Sequence, residues 1–97
     1  MKRVVFHPEA KAELVTAARW YDAQKQGLGR ELREEAEAAV SRILAAPEAF
    51  GSVRDGERCH QLHRFPYGIV YRVESGRIHI VAVMHLHRDP QYWEDRI

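Results

Sequence analysis

Ninety-seven residues, 45% hydrophobic and 30% charged, match an ordinary small globular chain with one core and exclude a disordered one. Lys+Arg 15 against Asp+Glu 14 leaves a net charge of +1, which excludes nucleic-acid binding driven by overall charge unless a local basic patch exists. A lone cysteine, Cys59, excludes an internal disulfide and fits a reducing compartment.

The chain opens with "MKRVVFHPEA", where a basic start meets His7-Pro8 before any apolar region can develop. This reads as neither a signal peptide nor a membrane span, and a cytoplasmic protein is expected. The β-branched run Arg3 to Phe6 predicts a strand, and Pro8 suits the first turn of the helix after it. From Pro8 to about Gln26, Leu14, Ala17, Ala18 and Tyr21 recur at i, i+3, i+4 and i+7, which makes one apolar helical stripe. Glu9 and Glu13 lie early in that helix, where negative charge suits the dipole. "QGLG" (Gln26 to Gly29) predicts a glycine turn in which Leu28 fills the gap between two helices. A second stripe, Leu32, Ala36, Ala39, Val40, Ile43 and Leu44, runs until Pro47.

After the turn-rich "PEAFGSVRDGE" the pattern becomes β. "RCHQLHRF", "YGIVYRV" (Tyr67 to Val73) and "RIHIVAVMH" (Arg77 to His85) predict three strands, the last two joined by a two-residue turn at Ser75-Gly76. The expected architecture is an α+β domain spanning 1–97 in the order β-α-α-β-β-β. A helical hairpin would cover one face of an antiparallel meander, with the first strand at an edge.

Strict alternation across the last hairpin divides its residues between two faces. One face would carry Ile69, Tyr71, Val73, Ile78, Ile80, Ala82 and Met84 beneath the helices. The other would carry Gly68, Val70, Arg72, His79, Val81, Val83 and His85, an apolar strip that nothing else in the chain covers. Such a face is expected to bind another chain, through Val70, Arg72, His79, Val81 and Val83.

The stretch "VMHLHRDPQYW" gathers residues with chemistry. His85 and His87 stand two apart, as metal ligands can, but no third and fourth ligand accompanies them, so neither a metal nor another cofactor is expected. Ser41, Ser52 and Ser75 lie in no nucleophile motif, and Cys59 has no sequence sign of activation. Metal-free RNA cleavage needs a base, a cation and an acid. His85, His87, Arg88 and Tyr92 are of those types, with Arg72 and His79 on the same expected face. The competing reading is structural: Arg88 would pair with Asp89 or Glu94, and Tyr92 and Trp93 would cap the core after the last strand.

The strings "FHPEAKAEL", "AARWYDAQKQGLGREL", "HRFPYGIVYRV" and "VMHLHRDPQYWEDR", in this order and spacing, resemble the RelE/ParE superfamily of bacterial type II toxins. The likeness is to its ParE-like, plasmid-stabilisation branch. The resemblance implies a toxin neutralised by a cognate antitoxin. It acts either by poisoning DNA gyrase, as ParE-like members do, or by cutting mRNA on the ribosome, as RelE-like members do. A complex-forming module without toxicity is a third possibility.

RelE-like nucleases use an arginine in the middle strand, an arginine after the last strand and a tyrosine near the end. The last two correspond here to Arg88 and Tyr92, while the first falls on Gly68. Arg72 lies four residues further on, about 13 Å at ~3.3 Å per residue. The missing arginine and the modest charge favour gyrase as the target. Arg88, Tyr92, Trp93 and Arg96 are then the expected target-binding residues.

Overall fold

The computed structural model describes residues 3–54 and 56–96. Residues 1, 2, 55 and 97, which include both ends of the expected 1–97 domain and part of the turn-rich stretch, lie outside the described residues. The elements run β1 (Arg3–Phe6), α1 (Pro8–Gln24), α2 (Leu28–Ala45), β2 (Ser52–Arg54), β3 (Glu57–Gln61), β4 (Tyr67–Glu74), β5 (Arg77–His85) and a closing 3₁₀ helix, Pro90–Arg96. This is the expected α+β fold with two additions the sequence reading lacked, strand β2 and the 3₁₀ helix. The five strands form one sheet in the order β1-β5-β4-β3-β2, with β1 at an edge as expected. The sheet is mixed rather than wholly antiparallel, because β1 returns beside β5 in parallel.

Local chemistry accounts for the helical hairpin. His7 caps α1 through its Nδ1, which accepts the Glu9 amide at 3.1 Å, and Pro8 follows where an amide hydrogen is dispensable. The turn is shorter than expected: Gly27 takes the left-handed conformation (φ 89°), and Gly29 already belongs to α2. A Cβ at Gly29 would collide with the Ala18 carbonyl oxygen and the Asp22 carboxylate. The Gly29 amide donates to Asp22 at 2.8 Å, so hairpin closure depends on the absent side chain.

Ala10, Ala17, Ala18, Leu32, Ala36, Ala39 and Ile43 of the helices bury against Ile69, Tyr71, Ile78 and Ile80 of the sheet. The Tyr71 hydroxyl donates to the Pro47 carbonyl, which satisfies the one polar atom this residue carries into the core.

The β4–β5 pairing departs from strict alternation. Glu74 faces Arg77, and Tyr71 faces Ile80, as expected from the Ser75-Gly76 turn, but Val70 then faces Ala82 rather than Val81. Strand β5 therefore bulges at Val81, and beyond it every side chain changes face. Val83 joins the core under the helices, while Val81, Ala82 and Met84 pack with Val70 on the far face.

That far face is not open. Trp93 of the 3₁₀ helix lies over Val70, Val81, Ala82 and Met84 and is 1% exposed, with its indole N–H against the Met84 sulfur at 3.4 Å. The chain closes its own sheet. Val70 and Val81 are fully buried, and Val83 points toward α1, so the expected apolar strip for another chain does not form. No helix among the described residues is long and apolar enough to cross a membrane.

Candidate functional site

Strand β1 stops pairing at Phe6, opposite Ile80, while β5 runs on to His85. Among the described residues the edge of β5 beyond β1 has no strand neighbour, and two side chains take that place. Glu13 of α1 accepts the Val83 amide at 3.0 Å, and Arg96 donates to the Val81 carbonyl at 3.2 Å. The same two residues form a two-pronged ion pair, with Nη1 to Oε1 at 3.1 Å and Nη2 to Oε2 at 2.9 Å. Together they satisfy the bulged edge and tie the chain end to α1.

Between α1 and the 3₁₀ helix a groove of about 790 Å³ opens above this edge. One wall is α1, with Ala12, Thr16 and Trp20, and the other holds Arg88, Tyr92 and Arg96. Tyr67, Val83 and His85 form the floor. The Arg88 guanidinium lies 3.8 Å from the Tyr92 ring centre, and that of Arg96 lies at 5.1 Å, so two cations lie near the phenol ring. Burial, together with Glu13, pushes the Tyr92 hydroxyl up to about 12. The phenol keeps its proton at neutral pH and directs it to Glu13, which makes it a donor rather than a base.

Four of the expected residues meet here: His85, Arg88, Tyr92 and Arg96. His85 packs edge-on against Tyr67, with centroids 5.1 Å apart, and its Nδ1 accepts the His87 amide at 3.2 Å. His87 itself is exposed and does not line the groove. Trp93 is a core residue and presents almost no surface to a target. Arg96 is held in its ion pair with its side chain 8% exposed, which makes it a support of the groove more than a contact point. Arg88 pairs with neither Asp89 nor Glu94. Glu94 instead meets Arg54, and among the described residues Arg88 has no carboxylate partner.

Arg72 and His79 occupy the opposite face. Arg72 bonds Glu57 at 2.6 Å, and Glu57, 1% exposed, also meets Arg54 at 3.1 Å. His79 lies 3.6 Å from Glu74, and burial lowers its pKa, with Glu74 opposing. The expected clustering of Arg72 and His79 with His85 and Arg88 therefore fails, because the bulge puts His85 on the helix side. Gly68 is buried as well, and a Cβ there would stand 2.5 Å from the Cys59 sulfur and 3.3 Å from Leu86. A side chain has no room at that position, let alone an arginine. Burial also pushes the Cys59 thiol up to about 11, away from reactivity. Among the described residues no cluster of three His, Cys, Asp or Glu could hold a metal ion.

The sequence reading passed over Glu13 and Trp20 as site residues. In the sequence Glu13 carries only a helix-dipole signal. Trp20 could have been found as the large aromatic that stands off the apolar stripe of its helix, and it is 58% exposed.

Comparison with known proteins agrees with this architecture. The solved structure of a "Chromosomal ParDE TA system from P. aeruginosa" superposes with a TM-score of 0.67 at 17% identity, covering 90% of this chain and 98% of that one. A search of curated proteins gives no match. The family model described as "ParE toxin of type II toxin-antitoxin system, parDE" matches residues 4–90. With that match spanning nearly the whole chain, the protein belongs to the ParE toxin family of type II toxin-antitoxin systems.

Proposed function

We propose that the chain is a cytoplasmic toxin that arrests growth by binding and poisoning DNA gyrase, and that a cognate antitoxin neutralises it. The observation that carries this reading over mRNA cleavage is the separation of the polar residues. Arg72 and His79 lie on the far face of the sheet, whereas Arg88, Tyr92 and His85 line the groove beside α1 at the β5 edge, and Gly68 is sealed by Cys59 and Leu86. His85, Arg88 and Tyr92 do share the groove, but a phosphate there would face Glu9 and Glu13. It would also lack a mid-sheet arginine, because Gly68 is sealed and Arg72 is paired with Glu57 on the other face. This arrangement offers instead a cation stacked on an aromatic ring at the rim of a groove, a geometry suited to protein recognition.

Arg88 and Tyr92 are the target-contacting residues in this reading, and Arg96 holds Tyr92 in place. Purified gyrase titrated with the protein should lose supercoiling activity, and Arg88→Ala should weaken the inhibition at least tenfold. Normal supercoiling at saturating protein would overturn the reading. Ribosome-dependent mRNA cuts that vanish in Arg88→Ala would replace it with the nuclease.

A further inference from the structure

Arg88 and Tyr92 stand on one wall of the groove, and Trp20 of α1 stands on the other. We propose that Trp20 is a third contact with gyrase, seated in an apolar recess of the gyrase protein that carries a carboxylate beside it for Arg88. The proposal rests on the gyrase reading and adds the residue and the chemistry of the surface it meets.

The fold does not need the Trp20 indole where it stands. It lies off the apolar stripe of α1 and is 58% exposed, although tryptophan is on average a highly buried residue. Its ring is nevertheless supported from behind. It meets Tyr21 edge-on with centroids 4.9 Å apart, and Tyr21 meets Phe65, a core residue, at 5.0 Å. An aromatic backed in this way loses little side-chain freedom when a partner covers it.

Residue types and charge select the partner. Trp20 lines the groove with Arg88 and Tyr92, and Trp, Tyr and Arg are the types enriched where the binding energy of interfaces concentrates. The acids of the groove are committed to Arg96, with Glu13 at 2.9 Å from Nη2 and Glu9 at 3.5 Å from Nε. Arg88 has no carboxylate partner among the described residues, so it favours an occupant that brings one. Glu9 and Glu13 disfavour a run of phosphates, which sets the protein of gyrase above its DNA. The Val83 amide and Val81 carbonyl are already bonded by Glu13 and Arg96, so the contact runs through side chains and not through an added strand.

The test uses purified gyrase holoenzyme in a supercoiling assay. Trp20→Ala should weaken inhibition about tenfold or more, as truncation of a central interface aromatic does, while Trp20→Phe should keep part of it. Arg33→Glu, on the exposed side of α2, should leave inhibition unchanged. Because Trp20 is exposed, Trp20→Ala should melt near the wild-type temperature by circular dichroism. A benzophenone amino acid in place of Trp20 should photo-crosslink to a gyrase subunit, and the same probe in place of Arg33 should not. Full inhibition by Trp20→Ala overturns this inference, and the gyrase reading stands as long as Arg88→Ala is impaired. Weakened inhibition with no crosslink from position 20 overturns it as well, since the indole then acts without touching the target. Absence of inhibition by the wild-type protein overturns both. A crosslink to the bound DNA in place of a subunit would overturn the protein contact and assign this wall to nucleic acid.

Discussion

Tyr92 and Trp93 are adjacent and both touch the far-face core, yet one is sealed inside it and the other lines an open groove. Trp93 is driven into the far face and completes a core with Val70, Val81, Ala82 and Met84, whereas Tyr92 stays half-buried at the wall of an open groove with two guanidinium groups near its ring. The far face is finished by the chain itself; the helix-side end of β5 is left for something else. What separates them is one extra residue in β5, the bulge at Val81. It turns Met84 away from the helices and brings Val83 and His85 toward them, so it decides which polar residues can act together.

The largest effect expected from breaking this division is at the plug. Trp93→Ala should lower the unfolding free energy by ~3–5 kcal/mol, as for a large aromatic removed from a packed core, measured by urea denaturation. A loss under about 1 kcal/mol would mean that the far face does not depend on its cover. Glu13→Gln is the next test, because it weakens the Arg96 pair and the link between α1 and the chain end. It should cost ~1.5–3 kcal/mol, the range for charged hydrogen bonds, and lower the Tyr92 titration in an ultraviolet pH series. An unmoved tyrosine titration would show that Glu13 does not organise the groove. Gly68→Ala should cost ~1–3 kcal/mol by overpacking against Cys59, and Cys59→Ala in the same chain should recover most of it. Equal stability of the single and double variants would remove the steric account of why no side chain stands at 68.

The elements were legible because each carries a local signal: His7-Pro8 at a helix start, two alanine-rich stripes at helical spacing, and Ser75-Gly76 between two β-branched runs. The bulge carries none. In "IHIVAVMH" the residues around it are apolar on both sides, so either register buries hydrophobic groups, and contacts from distant residues mark which one forms, such as that of Glu13 with the Val83 amide, 70 positions apart. The convergence of Arg88 and Tyr92 was legible because they are close in sequence. Their separation from Arg72 and His79 depended on the bulge and was not. Trp93 was legible in type, an aromatic after the last strand, but the expectation of an open face gave it to a target instead of to the core. Strand β2 escaped notice because three exposed residues beside a turn have neither length nor alternation.

The smallest effect distinguishes the two faces by titration. His60 lies on the helix side, stacked on Phe50 at 4.0 Å, and its Nε2 accepts from the Arg42 guanidinium at 2.9 Å. His79 lies on the other side beside Glu74. Both have pKa values lowered chiefly by burial, and Arg42 and His63 lower His60 further while Glu35 opposes. A histidine lowered in the folded state binds its proton more readily when unfolded. Its stabilisation is therefore complete above the unfolded value near 6.5 and is lost as the pH falls from there through the folded value. Protonating His60 breaks its bond from Arg42 and sets two cations together, whereas protonating His79 gains an ion pair with Glu74. His60→Gln should therefore flatten the fall in stability between pH 7 and pH 5 more than His79→Gln does, by on the order of 1 kcal/mol. Melting curves across that range provide the measurement, and equal slopes in the two variants would show that the faces respond to acid alike.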